Sequence, residues 1–102
     1  MTASDARVIV TKADGILTLT LNRPEIHNAF DDQLIAELTR TLQRLEADSS
    51  IRVVVLAGAG KSFSAGADLN WMKRMALYSE AENRRDAGAL ATLMRTLNEL
   101  AK

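Results

Sequence analysis

The residues with the clearest chemical potential form one short stretch, Ser62-Phe63-Ser64-Ala65-Gly66-Ala67-Asp68-Leu69. Small side chains leave backbone N–H groups uncovered, and Gly66 can take angles that other residues avoid. A helical pattern follows the stretch. The first N–H groups of a helix lack internal partners, and its dipole is positive there. Such a turn suits a site that receives developing negative charge. An ordinary strand-to-helix connection has the same composition, so these residues by themselves leave both readings open.

Other chemistries fit less well. Gly58-Ala59-Gly60-Lys61-Ser62 matches only the end of a phosphate-binding P-loop, because Val55 stands where the first glycine belongs. The dinucleotide fingerprint fails at Phe63, in the place of its third glycine. Lys61 reads as a solvated loop lysine. His27 is the only histidine, and with no cysteine in the chain a zinc site has no basis. It reads as a partly exposed loop residue, with a cofactor-side contact as the functional alternative. Ser62 and Ser64 have no histidine at a recognisable spacing, so a serine nucleophile is unsupported. Glu37, Glu46, Glu80, Glu82 and Glu99 fall on polar faces or ends of helical patterns, where solvation explains them. Trp71 reads equally as a core residue or a pocket wall.

The elements that must position the stretch are legible on either side. Val8-Ile9-Val10-Thr11 and Ile16-Leu17-Thr18-Leu19-Thr20-Leu21 are β-rich runs joined through Asp14-Gly15, a strong hairpin signal. Leu17, Leu19 and Leu21 alternate with Thr18 and Thr20, so one face is predicted to be buried. Arg23-Pro24 stops the ladder, since proline has no N–H to donate. A helix is expected next, with Asn28 as N-cap and Asp31 near its positive end. Leu34, Ile35, Leu38, Leu42 and Leu45 mark its apolar face, and it fades around Asp48-Ser49-Ser50. Val53-Val54-Val55-Leu56-Ala57 reads as a buried strand. Beyond the loop, Trp71 to Tyr78 predicts a short helix, and Glu80 starts a longer one. Its stripe of Leu90, Leu93, Met94, Leu97 and Leu100 needs something to cover it, and little chain remains to do so. That points to a truncated unit.

Composition narrows the classes. The chain has 102 residues, 47% of them apolar, with zero formal net charge. It can fill the core of one modest domain or a piece of a larger one. No basic footprint for nucleic acid or an anionic membrane is present. The first residues, Met1-Thr2-Ala3-Ser4-Asp5, show no secretory signal. No run reaches the roughly 20 apolar residues of a membrane span.

Phe63-Ser64-Ala65-Gly66-Ala67-Asp68-Leu69 closely resembles the F-[AS]-A-G-A-D-[IL] signature of the enoyl-CoA hydratase/isomerase (crotonase) superfamily. Leu21-Asn22-Arg23-Pro24, followed by Asn28-Ala29-Phe30, resembles the same family's L-N-R-P-x-x-x-N-A-[LF] segment. The two occur in the family's order, with a helix and a strand between them. Asn70-Trp71-Met72-Lys73-Arg74-Met75 further resembles the methylglutaconyl-CoA hydratase branch. The resemblance runs from about Val8 to the end of the chain and covers less than half of a typical member.

The resemblance implies an α/β fold: the N-terminal portion of a crotonase-like ββα spiral, with residues 1–102 as an incomplete domain. It implies an acyl-CoA thioester as ligand and no cofactor or metal beyond the CoA moiety. Ala67 matches the first of two backbone N–H donors that hold the thioester oxygen as it gains enolate charge. Ala65 matches the position whose carbonyl meets the adenine amino group. Gly66, Asp68 and Leu69 complete the loop around the thioester. The second donor glycine and the acid/base glutamates are expected beyond Lys102, so this chain alone is expected to be inactive. The complete protein is expected to be a cytoplasmic homo-trimer or homo-hexamer that hydrates a 2-enoyl-CoA. The Asn70-Trp71-Met72 resemblance points to a branched or dicarboxylic enoyl-CoA from leucine or isoprenoid breakdown, and the family more broadly to fatty acid or leucine catabolism. An isomerase or hydrolase of the superfamily and a non-catalytic acyl-CoA-binding or assembly module are the alternatives.

Overall fold

In the computed structural model, which describes residues 6–102, a hairpin, a helix and a returning strand make a ββα unit and the start of the next. Met1–Asp5, where the sequence shows no secretory signal, lie outside the described residues. Strand β1 (Val8–Ala13) runs antiparallel to β2 (Ile16–Leu21), with Val8 opposite Leu21 and Ala13 opposite Ile16. The turn between them holds Asp14 at φ 53° and Gly15 at φ 78°. Two consecutive left-handed residues are what a two-residue I′ turn requires, and Asp-Gly tolerates them best. On β2 the expected alternation holds: Leu17, Leu19 and Leu21 are buried, and Thr18 and Thr20 are half-buried.

After a 3₁₀ turn at Pro24–Ile26, helix α1 (Asp32–Glu46) buries Leu34, Ile35, Leu38, Leu42 and Leu45 against the sheet. Each such side chain contributes about 1.5–3 kcal/mol when fully buried, so this contact dominates the core. The helix starts later than the sequence suggests. Its N-cap is Asp31, whose Oδ1 accepts the Leu34 N–H at 2.8 Å. Asn28 is not a cap: it sits at φ 55° and is fully buried in the preceding loop.

Strand β3 (Val53–Gly58) then pairs parallel to β2, Ile16 opposite Val53 and Leu21 opposite Gly58, in the order β1-β2-β3. The Gly15 carbonyl accepts the N–H groups of Arg52 and Val53 at 2.8 and 3.3 Å, which docks the strand's start on the hairpin turn. The expected burial of this strand is corrected. Val53 and Val55 are 49% and 42% exposed, and among the described residues β3 has a neighbour on one edge only. A β-branched run shows that a strand can be covered on both faces; it does not supply the cover.

Helix α2 (Leu69–Met75) begins sooner than Trp71 because Asp68 caps it. Helix α3 (Glu80–Glu99) starts where expected, in a capping box of Ser79 and Glu82. Its stripe is better covered than the sequence suggests, because α3 lies along α1. Leu93 is fully buried, and Leu90, Leu97 and Leu100 are half-buried against the core, while Met94 stays 47% exposed. No helix among the described residues is long and apolar enough to cross a membrane.

Candidate functional site

Two segments distant in sequence build the site: Leu21–Asp31 and Gly58–Leu69. Asn28 holds them together. Its Oδ1 accepts the Arg23 N–H at 2.7 Å, and its Nδ2 donates to the carbonyls of Ala59 and Ser62 at 2.9 Å each. Pro24 lies against Gly60, where a Cβ would fall 2.9 Å from the proline Cβ. Gly58 is tighter still, since a Cβ there would meet backbone atoms of Ser62 and Phe63 at 2.7–2.8 Å.

The signature loop is then hung on the chain ahead of α1. Ala65 N–H donates to the His27 carbonyl at 2.9 Å. Phe30 N–H donates to the Gly66 carbonyl and Asp68 N–H donates to the Phe30 carbonyl, both at 2.6 Å, forming an isolated parallel bridge between Phe30 and Ala67. Gly66 N–H donates to Ser64 Oγ at 3.2 Å. Gly66 stands at φ 92° with nothing within 4 Å of a would-be Cβ, so its glycine is required by conformation and not by space. Ala67 is the residue whose N–H is left over. A bridge of this kind bonds the groups flanking Ala67, and strand alternation turns Ala67's own N–H to the other side. There it has no acceptor among the described residues.

Ala67 is exposed and lies where two pockets meet. The larger, about 540 Å³, is lined by Ile26, Ala29, Ala65, Ala67, Asp68, Leu69, Asn70 and Lys73. The smaller, about 250 Å³, is lined by Phe30, Phe63, Ser64, Gly66, Ala67, Trp71, Leu90 and Met94, with no ionised side chain. The five residues singled out in the loop therefore come together, Ala65, Asp68 and Leu69 on one side, Gly66 on the other, and Ala67 on both. Trp71 is both core and wall: it is 4% exposed, lines the smaller pocket, and donates its Nε1–H to Asp86 Oδ2 at 2.9 Å.

The start of α2 is not the open anion site that its position suggests. Asp68 Oδ1 accepts the N–H groups of Asn70 and Trp71 at 2.7 and 3.1 Å. The Trp71 N–H, then that of Asn70, then the nearby Arg23 charge hold this carboxyl below its ordinary 3.8, against the opposing effect of burial. With the Asn70 and Trp71 N–H groups taken by Asp68, the N–H groups of Ala67 and Leu69 are left without an acceptor among the described residues.

Arg23 and its partners were not visible as a unit in the sequence. Nη1 donates to the Ala29 carbonyl at 3.1 Å and meets Asp31 Oδ2 at 3.1 Å, while Nη2 meets Asp68 Oδ2 at 3.3 Å. An aspartate directly before each helical pattern was the available signal. His27, at φ 54°, places Nδ1 3.2 Å from Ser62 Oγ. A serine and the histidine thus meet without a sequence spacing that indicates it, but the imidazole is exposed and no carboxylate orients it among the described residues, so a serine nucleophile stays unsupported. His27 lines neither pocket.

A backbone N–H left free beside a pocket can donate to an oxygen that gains charge, and the comparisons give this strand–turn–helix loop a family. The sequence profile described as enoyl-CoA hydratase/isomerase matches residues 11–100, and the chain belongs to that family. A 1,2-epoxyphenylacetyl-CoA isomerase of Escherichia coli K12 is 52% identical over 56 residues, 55% of this chain and 21% of the relative. The 2,3-dehydroadipyl-CoA hydratase of the same organism is 42% identical over 67 residues, 66% of this chain and 26% of the relative. A Legionella pneumophila structure described as a putative enoyl-CoA hydratase/isomerase (crotonase) superposes with a TM-score of 0.90 at 41% identity, covering 94% of this chain and 37% of the other. The fold is the crotonase α/β fold. The chain spans well under half the length of the proteins it matches.

Proposed function

We propose that the complete protein binds an acyl-CoA thioester across the Ser62–Leu69 loop and hydrates a 2-enoyl-CoA. The observation that carries this is the N–H of Ala67, which has no acceptor among the described residues, in a residue that lines both pockets. Water adds to Cβ of the conjugated thioester, the electron pair moves onto the thioester oxygen, and protonation at Cα restores the carbonyl. Ala67 donates to that oxygen while it carries the charge, which is when such a donor acts. The second donor and the acid/base glutamates are those the family resemblance implies beyond Lys102. By the same resemblance the complete protein is a trimer or hexamer of the cytoplasm.

The resemblance of Asn70-Trp71-Met72-Lys73-Arg74-Met75 supports methylglutaconyl-CoA, and with it leucine breakdown. The smaller pocket favours a second reading, an uncharged acyl chain, because a carboxylate there would lose its water with no cation lining the wall. Adding the complete protein to crotonyl-, 3-methylcrotonyl- and methylglutaconyl-CoA tests both. Loss of the conjugated thioester absorbance is the expected result, and the ratio of kcat/KM values chooses the acyl group. A double bond that moves without water uptake would replace hydratase by isomerase.

A further inference from the structure

We infer that Arg23 is a positioning residue that aims the Ala67 N–H, an inference that rests on the acyl-CoA reading above. Every partner of the guanidinium is a sequence neighbour of the Phe30–Ala67 bridge. Ala29 and Asp31 flank Phe30, and Asp68 follows Ala67. The two carboxylates are used in the same way. Each gives Oδ1 to the N-terminal N–H groups of its helix and Oδ2 to Arg23. One cation therefore ties the caps of α1 and α2 together directly behind the bridge. The pairing is well shielded, with side-chain exposures of 17% for Arg23, 12% for Asp31 and 10% for Asp68. A planar fork can meet both acids at once, which a lysine ammonium cannot reproduce.

Without the fork, two carboxylates confront each other with no cation between them. The bridge then loosens and the Ala67 N–H drifts from its aim. A donor displaced by about 1 Å can lower turnover by about 100-fold. The effect falls on the transition state, because the loop's contact area for the thioester is unchanged.

The experiment uses the complete protein with Arg23→Met and Arg23→Lys. Arg74→Met serves as the control, because Arg74 pairs with Asp32 at 2.9 Å on the exposed face of the same helix start. Amide hydrogen exchange of Phe30 and Asp68 reads the bridge. The red shift of a bound aryl-enoyl-CoA thioester reads polarisation of its oxygen, and steady-state kinetics separate kcat from KM. In both Arg23 variants the two amides are expected to exchange faster and the red shift to shrink. The kcat is expected to fall about 10- to 100-fold with KM changed less than about threefold. Arg74→Met is expected to leave all three readings unchanged. Bridge amides that exchange at the wild-type rate, or an undiminished red shift with normal kcat, overturn the inference. Should Arg23→Met fail to fold, Arg23→Lys decides by the same readings. A wild-type protein that gives no red shift overturns the acyl-CoA reading instead, and the exchange rates still judge the staple.

Discussion

On the proposed reading Ala67 contributes its backbone, so substitutions there separate the N–H from the side chain. Ala67→Ser in the complete enzyme is expected to change turnover little, since the exposed methyl makes room for a hydroxyl. Ala67→Pro deletes the donor and is expected to lower kcat by roughly 100- to 1,000-fold. Circular dichroism and CoA binding check that the loop survives, because proline also restrains Gly66. A folded, CoA-binding Ala67→Pro enzyme with near-normal turnover would refute the assignment. Asp68 carries a different consequence. Its carboxyl is held low by the Trp71 and Asn70 N–H groups and by Arg23. The folded form thus favours the anion, and that stabilisation is complete above the ordinary value of 3.8. It is lost as pH falls through the lower folded value. Asp68→Asn is expected to lower stability at neutral pH and to flatten the acid limb of a melting-temperature profile. At this scale the sequence grouped the loop residues that line the two pockets better than it showed the contacts they make. Asn28 resembled a helix cap, but its amide serves carbonyls of Ala59 and Ser62, and local sequence does not encode that meeting. Asp68 lines the larger pocket as the loop reading expects, and its carboxylate also caps α2 and pairs with Arg23, which local sequence does not show.

Among the elements, those governed by local chemistry were legible. Asp14-Gly15 fixed the hairpin because few other pairs take two left-handed angles. The apolar face of α1 emerged residue by residue from its spacing, and Ser79 and Glu82 announced α3. What depends on a neighbour was not legible. The exposure of β3 depends on whether anything pairs with its far edge, and the early start of α2 depends on Asp68 being free to turn inward. Gly58 illustrates a third case, a close approach invisible until the chain folds. Its missing Cβ lets β3 end directly against the backbone of Ser62 and Phe63. Gly58→Ala is expected to destabilise by about 1–3 kcal/mol, as overpacking does, and to shift the loop that follows. Denaturant unfolding measures the first effect, and weaker binding of a CoA thioester by the complete protein measures the second.

As a whole molecule, the 102-residue chain carries a formed loop on an incompletely covered body. Among the described residues the only carboxylate lining either pocket is Asp68, and it is already engaged by two N–H groups and Arg23. The chain by itself is therefore expected to show no hydration of crotonyl- or methylglutaconyl-CoA above background. It is also expected to self-associate. The open edge of β3 and the exposed Val53, Val55, Phe63 and Met94 offer a surface for pairing and apolar contact. Turnover that persists through chromatography, or a monodisperse monomer with a cooperative melt, counts against these two expectations respectively.

The long reach of the Phe30–Ala67 bridge has a consequence in time. The hairpin and α1 need only neighbours in sequence, and such contacts close fastest. The bridge, the Ala65–His27 bond and the Asn28–Ser62 bond are expected to wait until the chain has passed through α1 and β3 has settled beside β2. The Ser62–Leu69 loop is thus expected to be among the last parts organised as the chain folds, with the Ala67 N–H placed only after the scaffold that holds it.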